Sequence, residues 1–463
     1  MHGSIFKVYD IRGIVGSELI IEKVHELGRA LAFYYKENHP VLTTVAIGRD
    51  GRSHSTAIFD ELSKAFIDSG INVINLGICT TPIMYFAQEK LPVQGGIMIT
   101  ASHNPSEYNG FKLILNKQSV FGDEIKRIAQ YYQEQRFLSS SLKGSLINHD
   151  LVIDYVYYLV EQFPQLVGSD IHAVVDCANG AAGSVLPLLK EKFEWTKVKL
   201  IYETVLAEPH HQADPTKPEN IIELKKELEK LPNYLGVAFD GDADRLTAIT
   251  EKQVHLQGDE LGAIFAADIK KYNKNCTVVT DVTFSHVLLK WFDLQGINHV
   301  TSRVGHAYIK EAVKKSNALL GLELSGHFCF TDNYFGFDDG IYAMLRLFSL
   351  LLSSQQMLQV HYEKFPPRFG CAMRIPCEPN KLEMVMEHVK QYFSKDSNIT
   401  TLDGICAIRA YGWGSIRPSN TEPVLSLRLE SIDQNTLMHI KKDFYTALKK
   451  HLDTNDLKYA FKL

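Results

Sequence analysis

Cysteine is sparse in this chain. Seven residues in 463 (Cys79, Cys177, Cys276, Cys329, Cys371, Cys377 and Cys406) form an odd, scattered set with no Cys-X-X-Cys. That excludes a disulfide framework or a cysteine zinc site and favours free thiols in a reducing compartment. Basic charge is not in excess either, since 49 Lys and Arg stand against 54 Asp and Glu, a net charge of −5. A protein held on nucleic acid by bulk electrostatics is thereby excluded. Long apolar runs are also missing. The longest, near Leu345 to Leu352, is broken by Arg346 and Ser349, far short of the ~20 residues that span a bilayer. The first residues lack the charged and apolar regions of a signal peptide. A cytoplasmic protein with no membrane or nucleic-acid partner is expected.

What is present is ordinary globular composition, 45% hydrophobic and 22% charged. At about 150 residues per domain, the length alone suggests about three domains. The apolar pattern alternates between strand and helix periods. Strands are predicted at Thr44–Ile47, Asn72–Leu76 and Gly95–Ile99, with a helix at Thr56–Ile67. The same grammar restarts with strands at Ala173–Val175, Leu235–Phe239, Thr277–Thr280 and Leu319–Leu322. Helices are expected from about Ala182, at Phe284–Phe292 and at Gly340–Leu352. Strands alternating with helices imply layered α/β domains. After about Phe369 the pattern becomes α+β, with strands near Ala372–Ile375 and Val424–Arg428 and helices at Lys381–Phe393 and Asp433–Leu448. Boundaries fall near 150, 253 and 368, the last beside Pro366-Pro367, where proline stiffens a linker. They divide the chain into 1–150, 151–253, 254–368 and 369–463.

Four clusters carry chemistry. Thr100-Ala101-Ser102-His103-Asn104-Pro105 follows a predicted strand and puts Ser102 on an exposed turn with its oxygen free, although Ser102 and Asn104 are also common turn-capping residues. Asp240-Gly241-Asp242-Ala243-Asp244-Arg245 sets three repelling carboxylates at i, i+2 and i+4. A bound cation relieves that repulsion, and oxygen-only ligands favour Mg²⁺ or Ca²⁺. An EF-hand is rejected, because Arg245 stands where its sixth position needs glycine and the preceding segment is a strand. Arginine beside a metal suits a phosphoryl group. Glu323-Leu324-Ser325-Gly326-His327 gathers groups that bind sugar hydroxyls. It lacks the Gly-X-Ser-X-Gly of a serine hydrolase and is also readable as a plain hairpin turn. Arg417-Pro418-Ser419-Asn420-Thr421-Glu422-Pro423 can cradle phosphate or simply turn the chain. Two further stretches are weaker alone: Tyr9-Asp10-Ile11-Arg12-Gly13, and Asn179-Gly180-Ala181-Ala182-Gly183, read as a tight strand-to-helix turn.

Together and in this order the clusters resemble the α-D-phosphohexomutase family, within it the bacterial phosphomannomutase/phosphoglucomutase branch. The resemblance also rests on Gly48-Arg49-Asp50-Gly51-Arg52, Asn109-Gly110-Phe111-Lys112, Gly305-His306 and Asp338-Asp339-Gly340, and runs from Tyr9 to about Leu427. It implies three similar α/β/α domains plus a smaller C-terminal α+β domain around a central cleft, one cluster to each segment, so the domain count becomes four. Ser102 matches the serine phosphorylated in the active enzyme. Asp240, Asp242 and Asp244 match the Mg²⁺ loop, with the phosphoserine completing the coordination. Arg12, His103, Lys112, Arg245 and His327 fall on catalytic positions. Tyr9, Arg303, Gly305, His306, Glu323, Ser325, Arg417, Ser419, Asn420 and Thr421 fall on substrate-binding positions.

The implied activity interconverts hexose 1-phosphate and hexose 6-phosphate through a hexose 1,6-bisphosphate that also serves as activator. A monomer acting on small sugar phosphates is expected. Asp281-Val282-Thr283 lacks the lysine that many relatives carry there, and Arg303 is the positive charge available in its place. Leu324 and Asn420 depart from the phosphoglucosamine branch and favour glucose or mannose phosphates. Phosphoglucosamine mutase is the alternative, and a Mg²⁺-dependent sugar phosphatase a more distant one.

Overall fold

The computed structural model describes residues 1–395, 398–419 and 423–462. Its chain forms two compact units. The first comprises Met1–Leu261, Ser325–Phe330 and Phe337–Gln359, the second Gly262–Leu324, Thr331–Gly336 and Val360–Leu463. The expected boundaries follow chain order, whereas these units interleave. The reason within the first unit is specific. Asp339 caps the helix Gly340–Ser354 by accepting from Tyr342 N–H at 2.9 Å, and its other oxygen accepts from the Tyr155 hydroxyl at 2.8 Å. Tyr342 then packs on Phe163.

The first unit holds two sheets. In one, Thr44–Arg49, Asn72–Ile78, Gly95–Ile99 and Leu146–Asn148 run parallel. Parallel neighbours need crossovers, supplied here by helices Ser55–Asp68 and Thr81–Lys90. The second of these begins with Thr80 accepting from Ile83 N–H and Pro82 in its first turn, both good helix starters. On the other side of Gly95–Ile99, the strand Tyr108–Leu115 runs antiparallel and carries Ile11–Ile14 beyond it. Helix Val24–Asn38 lays Leu27, Leu31, Tyr34 and Tyr35 at helical spacing into a core shared with Leu62 and Phe66.

The other sheet has the order His255–Leu256, Leu246–Ile249, Leu235–Phe239, Ala173–Asp176, Val198–Ile201. Leu235–Phe239 and Leu246–Ile249 are antiparallel with Phe239 opposite Leu246, so residues 240–245 form the loop of one hairpin. All five residues of Leu235–Phe239 are buried, and a near-continuous apolar run is what such a strand needs. The turn after Ala173–Asp176 is not a phosphate loop. Its N–H groups at Asn179, Gly180 and Ala181 are spent on the carbonyls of Tyr202, Cys177 and Gly241.

In the second unit Asn298–Ser302, Thr277–Asp281 and Leu320–Leu322 run parallel. Asp281, Arg303 and Glu323 therefore emerge at one carboxyl edge, where open α/β sheets place their ligands. An antiparallel sheet follows in the order Phe369–Pro376, Val424–Ser431, Gly412–Pro418, Ile405–Arg409, Asn398–Thr400. Helices Leu382–Phe393 and Gln434–Leu448 share its core through Val385, Val389, Phe393, Ile440 and Phe444. No helix among the described residues is long and apolar enough to cross a membrane.

One close approach brings two loops of the first unit together. A Cβ built on Gly241 would lie 2.4 Å from the Ser102 carbonyl oxygen. Gly241→Ala is expected to cost about 1–3 kcal/mol by overpacking, read as a lower urea midpoint with unchanged slope. Gly3→Ala, with no atom within 4 Å of its Cβ, is the control and should leave the midpoint in place.

Candidate active site

Ser102 lies just past Gly95–Ile99 with a left-handed φ of 52°. The exposed turn expected from sequence is not what forms, because the residue is only 2% exposed. Acidic residues 138 positions away cover it, and its hydroxyl donates to Asp240 Oδ2 at 2.6 Å. His103 Nδ1 stands 3.1 Å from the same oxygen. Burial pushes that imidazole well below its usual pKa, and Arg245 and Arg12 push it further.

Asp240, Asp242 and Asp244 have no exposed surface, and an oxygen from each lies within 4.8 Å of the others. Lys112, on Tyr108–Leu115, donates to Asp242 Oδ2 at 2.6 Å and also to Asp244. Burial alone would lower its pKa, yet the carboxylates of Asp242, Asp244 and Asp240 outweigh burial and raise it. Lys112 is thus a fixed cation. Burial and the two neighbouring carboxylates drive Asp240 well above the usual carboxyl range. Asp244 is held well below it, Lys112 and His327 overcoming its burial. Among the described residues Asp242 Oδ1 is buried without a hydrogen-bond partner. An all-oxygen set with an orphaned carboxylate oxygen fits a hard divalent cation.

Arg245 closes the cluster. Its N–H donates to Asp240 Oδ1 at 3.2 Å and its Nε donates to His327 Nε2 at 3.2 Å. His327 Nε2 is also 3.2 Å from Asp244 Oδ1, and its Nδ1 faces the Ser325 hydroxyl at 3.0 Å. Arg12 pairs with Asp10 and donates to Asn104 Oδ1 at 2.5 Å. Tyr9 is half-buried just ahead of that strand.

A second group lies in the second unit. Glu323, 4% exposed, accepts from Gly305 N–H at 3.1 Å. Gly305 has φ 122°, a conformation suited to glycine, and leads into the helix His306–Ser316. Arg303 Nε donates to the Leu402 carbonyl at 3.2 Å, and its guanidinium lies over the Tyr308 ring. Asp403 joins this loop to the candidate phosphate cradle, accepting from Val304 N–H at 3.0 Å and lying 3.2 Å from Arg417 Nη2. Ser419 N–H donates to the Val424 carbonyl. Asn420 and Thr421 lie outside the described residues.

Sequence reading missed Thr81, Asp281 and Asp403. Thr81 Oγ1 donates to Asp242 Oδ2 at 2.6 Å, and no local pattern marks it. Asp281 is fully buried and accepts from Thr283 N–H and Oγ1 and from Leu324 N–H. Its position at a strand's carboxyl end was the available signal.

Comparison with known proteins covers the same ground. Residues 3–139, 153–253 and 257–369 match phosphoglucomutase/phosphomannomutase α/β/α domains I, II and III, and residues 373–447 match the C-terminal domain of the same family. The chain is 33% identical over 451 residues to the phosphoglucomutase of Neisseria gonorrhoeae, covering 96% of this chain and 97% of that protein. It is 34% identical over 452 residues to the phosphomannomutase/phosphoglucomutase of Pseudomonas aeruginosa, covering 96% of each. The crystal structure of a phosphoglucomutase/phosphomannomutase family protein from Burkholderia thailandensis superposes with a TM-score of 0.89 at 29% identity, over 97% of this chain and 98% of that one.

Burial, followed by the charge of Glu323, pushes Asp281 up to about 6. Folding therefore favours its protonated form. The associated stability is complete below about pH 4 and is lost as pH rises through 6, on the order of 3 kcal/mol. Carboxyl ¹³C NMR should place the Asp281 midpoint near 6, and Glu323→Gln, which removes a negative neighbour, should move that midpoint down.

Proposed function

The chain belongs to the phosphoglucomutase/phosphomannomutase family, and on that premise we propose that it interconverts hexose 1-phosphates and hexose 6-phosphates of glucose and mannose. The observation that carries this reading is Ser102, buried against three carboxylates and flanked by Lys112, Arg245 and His327. With a divalent cation on the carboxylates, such a site would accept a group more negative than a neutral hydroxyl. The domain bounds are taken near 150, 253 and 368, and the gaps between the family matches support that division.

In this reading Ser102 carries a phosphoryl group. Its P–Oγ bond breaks as a sugar hydroxyl attacks phosphorus, and the hydroxyl's proton leaves to His327, while Lys112, held as a cation, offsets charge on the group in transit. The resulting hexose 1,6-bisphosphate turns over in the site, and its other phosphate returns to Ser102. His103, 3.1 Å from Oγ, is placed to carry the serine proton in that return. Arg12 and Arg245 offset charge on the equatorial phosphoryl oxygens. Asp240, Asp242 and Asp244 would hold Mg²⁺, which when bound draws charge from the serine oxygen. Glu323 and Ser325 would exchange hydrogen bonds with sugar hydroxyls, and Tyr9, Arg303, Gly305 and His306 would contribute to substrate binding. Arg417, Ser419, Asn420 and Thr421 would grip the phosphate not in transit, accepting it from either end of the sugar.

Leu324 and Asn420 support glucose and mannose over glucosamine. A panel of glucose, mannose and glucosamine 1-phosphates tests that order, and preferred turnover of glucosamine 1-phosphate would reverse it. Ser102→Ala should abolish interconversion, and intact mass should show one phosphate lost relative to the wild-type protein. Near-normal turnover in Ser102→Ala, or a phosphate mapped to an aspartate, would overturn the mutase reading.

The metal assignment has its own test. Mg²⁺ at about 100 times its dissociation constant should stabilise the folded protein by about 2.7 kcal/mol, seen as a raised melting temperature. Asp242→Asn should remove most of that increment, and an equal increment in the variant would count against the site.

A further inference from the structure

We propose that Arg52 is a positioning residue for phosphoryl transfer, holding the backbone of the Ser102 turn so that its carbonyl oxygens are drawn away from the transferred group. The proposal rests on the mutase reading of Ser102.

The guanidinium has five N–H donors in a fixed fork, and all of them are spent. Nη2 donates to the carbonyls of Ser102 at 2.9 Å and Asn104 at 2.6 Å. Nη1 donates to the carbonyls of Pro105 at 2.6 Å and Tyr108 at 3.1 Å. Nε donates to Asp50 Oδ2 at 3.1 Å, and Asp50 Oδ1 is fixed in turn by the Ser55 hydroxyl at 2.7 Å. The carbonyl this fork omits, His103, accepts from Gln212 Nε2 at 3.1 Å. Consecutive carbonyls from Ser102 to Pro105 are therefore all engaged by side-chain donors.

Two physical consequences follow. First, a carbonyl oxygen facing a phosphoryl dianion repels it, and three donors on one rigid cation remove that option for the Ser102, Asn104 and Pro105 carbonyls. Second, Ser102 is held in the left-handed region, φ 52°, at a cost of about 1–2 kcal/mol for a residue with a Cβ. Such strain persists only where surroundings over-determine it, and the Arg52 fork supplies that determination from beneath the turn. Lysine, a point donor, cannot reach four carbonyls. A cavity of about 320 Å³ borders Arg52, Asn104, Pro105 and His210, which leaves a route for a small cation to the emptied position in a truncation variant.

The test uses the full chain with Arg52→Lys and Arg52→Ala, assayed per folded molecule. Misplacement of the serine by a fraction of an ångström to 1 Å predicts a fall in kcat of about a hundredfold, with KM for hexose 1-phosphate within about threefold of wild type. Guanidinium at sub-denaturing millimolar concentration should restore much of the kcat of Arg52→Ala and none of that of Arg52→Lys, whereas methylammonium should restore neither. A purely structural role would lower the unfolding midpoint without changing kcat per folded molecule and would show no rescue. Arg52→Lys with kcat within about threefold of wild type, or a kcat loss in Arg52→Ala that guanidinium leaves untouched, overturns the proposal. If Arg52→Ala does not fold, Arg52→Lys decides alone. Absence of mutase turnover in the wild-type protein would overturn the functional reading instead, and the hydrolysis rate of phosphoserine 102, expected to rise in Arg52→Lys, still reports on the turn.

Discussion

Three carboxylates without exposed surface, held within 4.8 Å of one another, are the constraint around which the first unit is organised. Buried like charges are costly unless something of opposite sign and good geometry answers them. The chain answers from several elements at once. A hairpin turn delivers Asp240, Asp242 and Asp244, the neighbouring sheet delivers Lys112, and the residues after Gly326 deliver His327 back to Asp244 and Arg245. The helix-starting Thr81 adds a hydroxyl to Asp242. The fold thus collects charges that no single segment could tolerate, and Ser102 is buried because it lies against that collection.

The second unit solves a milder version of the same problem. Asp281 and Glu323 sit close together at a carboxyl edge, and backbone N–H groups from Thr283, Leu324 and Gly305 take their oxygens. Thr283 gives its own N–H and hydroxyl to Asp281. Burial and then the charge of Glu323 raise its pKa, so a proton instead of a cation relieves the carboxyl. Asp403 plays the converse role, sitting against Arg417 while also taking the Val304 N–H. A phosphate arriving at Arg417 would compete with a carboxylate already in place, so binding there exchanges one anion for another and does not fill an open cationic hole.

Much of this was legible in the sequence. Gly95–Ile99 and Leu235–Phe239 were bounded at the residues where the strands begin and end, because both are short, fully buried apolar runs closed by polar turns. The acidic triplet announced itself through charge repulsion, and Glu323 through its place after a strand. The depth of Ser102 did not show, because its burial depends on Asp240, 138 residues downstream, and local turn chemistry reads the same whether a turn is covered or open. Arg52 was visible as part of Gly48-Arg49-Asp50-Gly51-Arg52, yet its work is done through carbonyls, which carry no side-chain signature. Asp403 stands alone in an unremarkable loop, and only the path of two strands brings it to Arg417. The interleaving of the two units was equally hidden, since periodicity identifies the helix Gly340–Ser354 but not the partner of its Asp339 cap.

On the mutase reading, in which Ser102 carries a phosphoryl group, the charge balance around it accounts for the use of a divalent ion. In the unphosphorylated protein, the three carboxylates face Lys112 and Arg245 directly, with Arg12 paired to Asp10 close by. The cluster is near balance, with Asp240 driven toward its protonated form to make up the difference. A phosphoryl group on Ser102 adds about two negative charges and replaces the hydroxyl proton that Asp240 now accepts. Protonating carboxylates cannot absorb that much charge at neutral pH, whereas a cation of charge +2 restores balance. Asp242 Oδ1, buried without a hydrogen-bond partner among the described residues, would be available to such a cation.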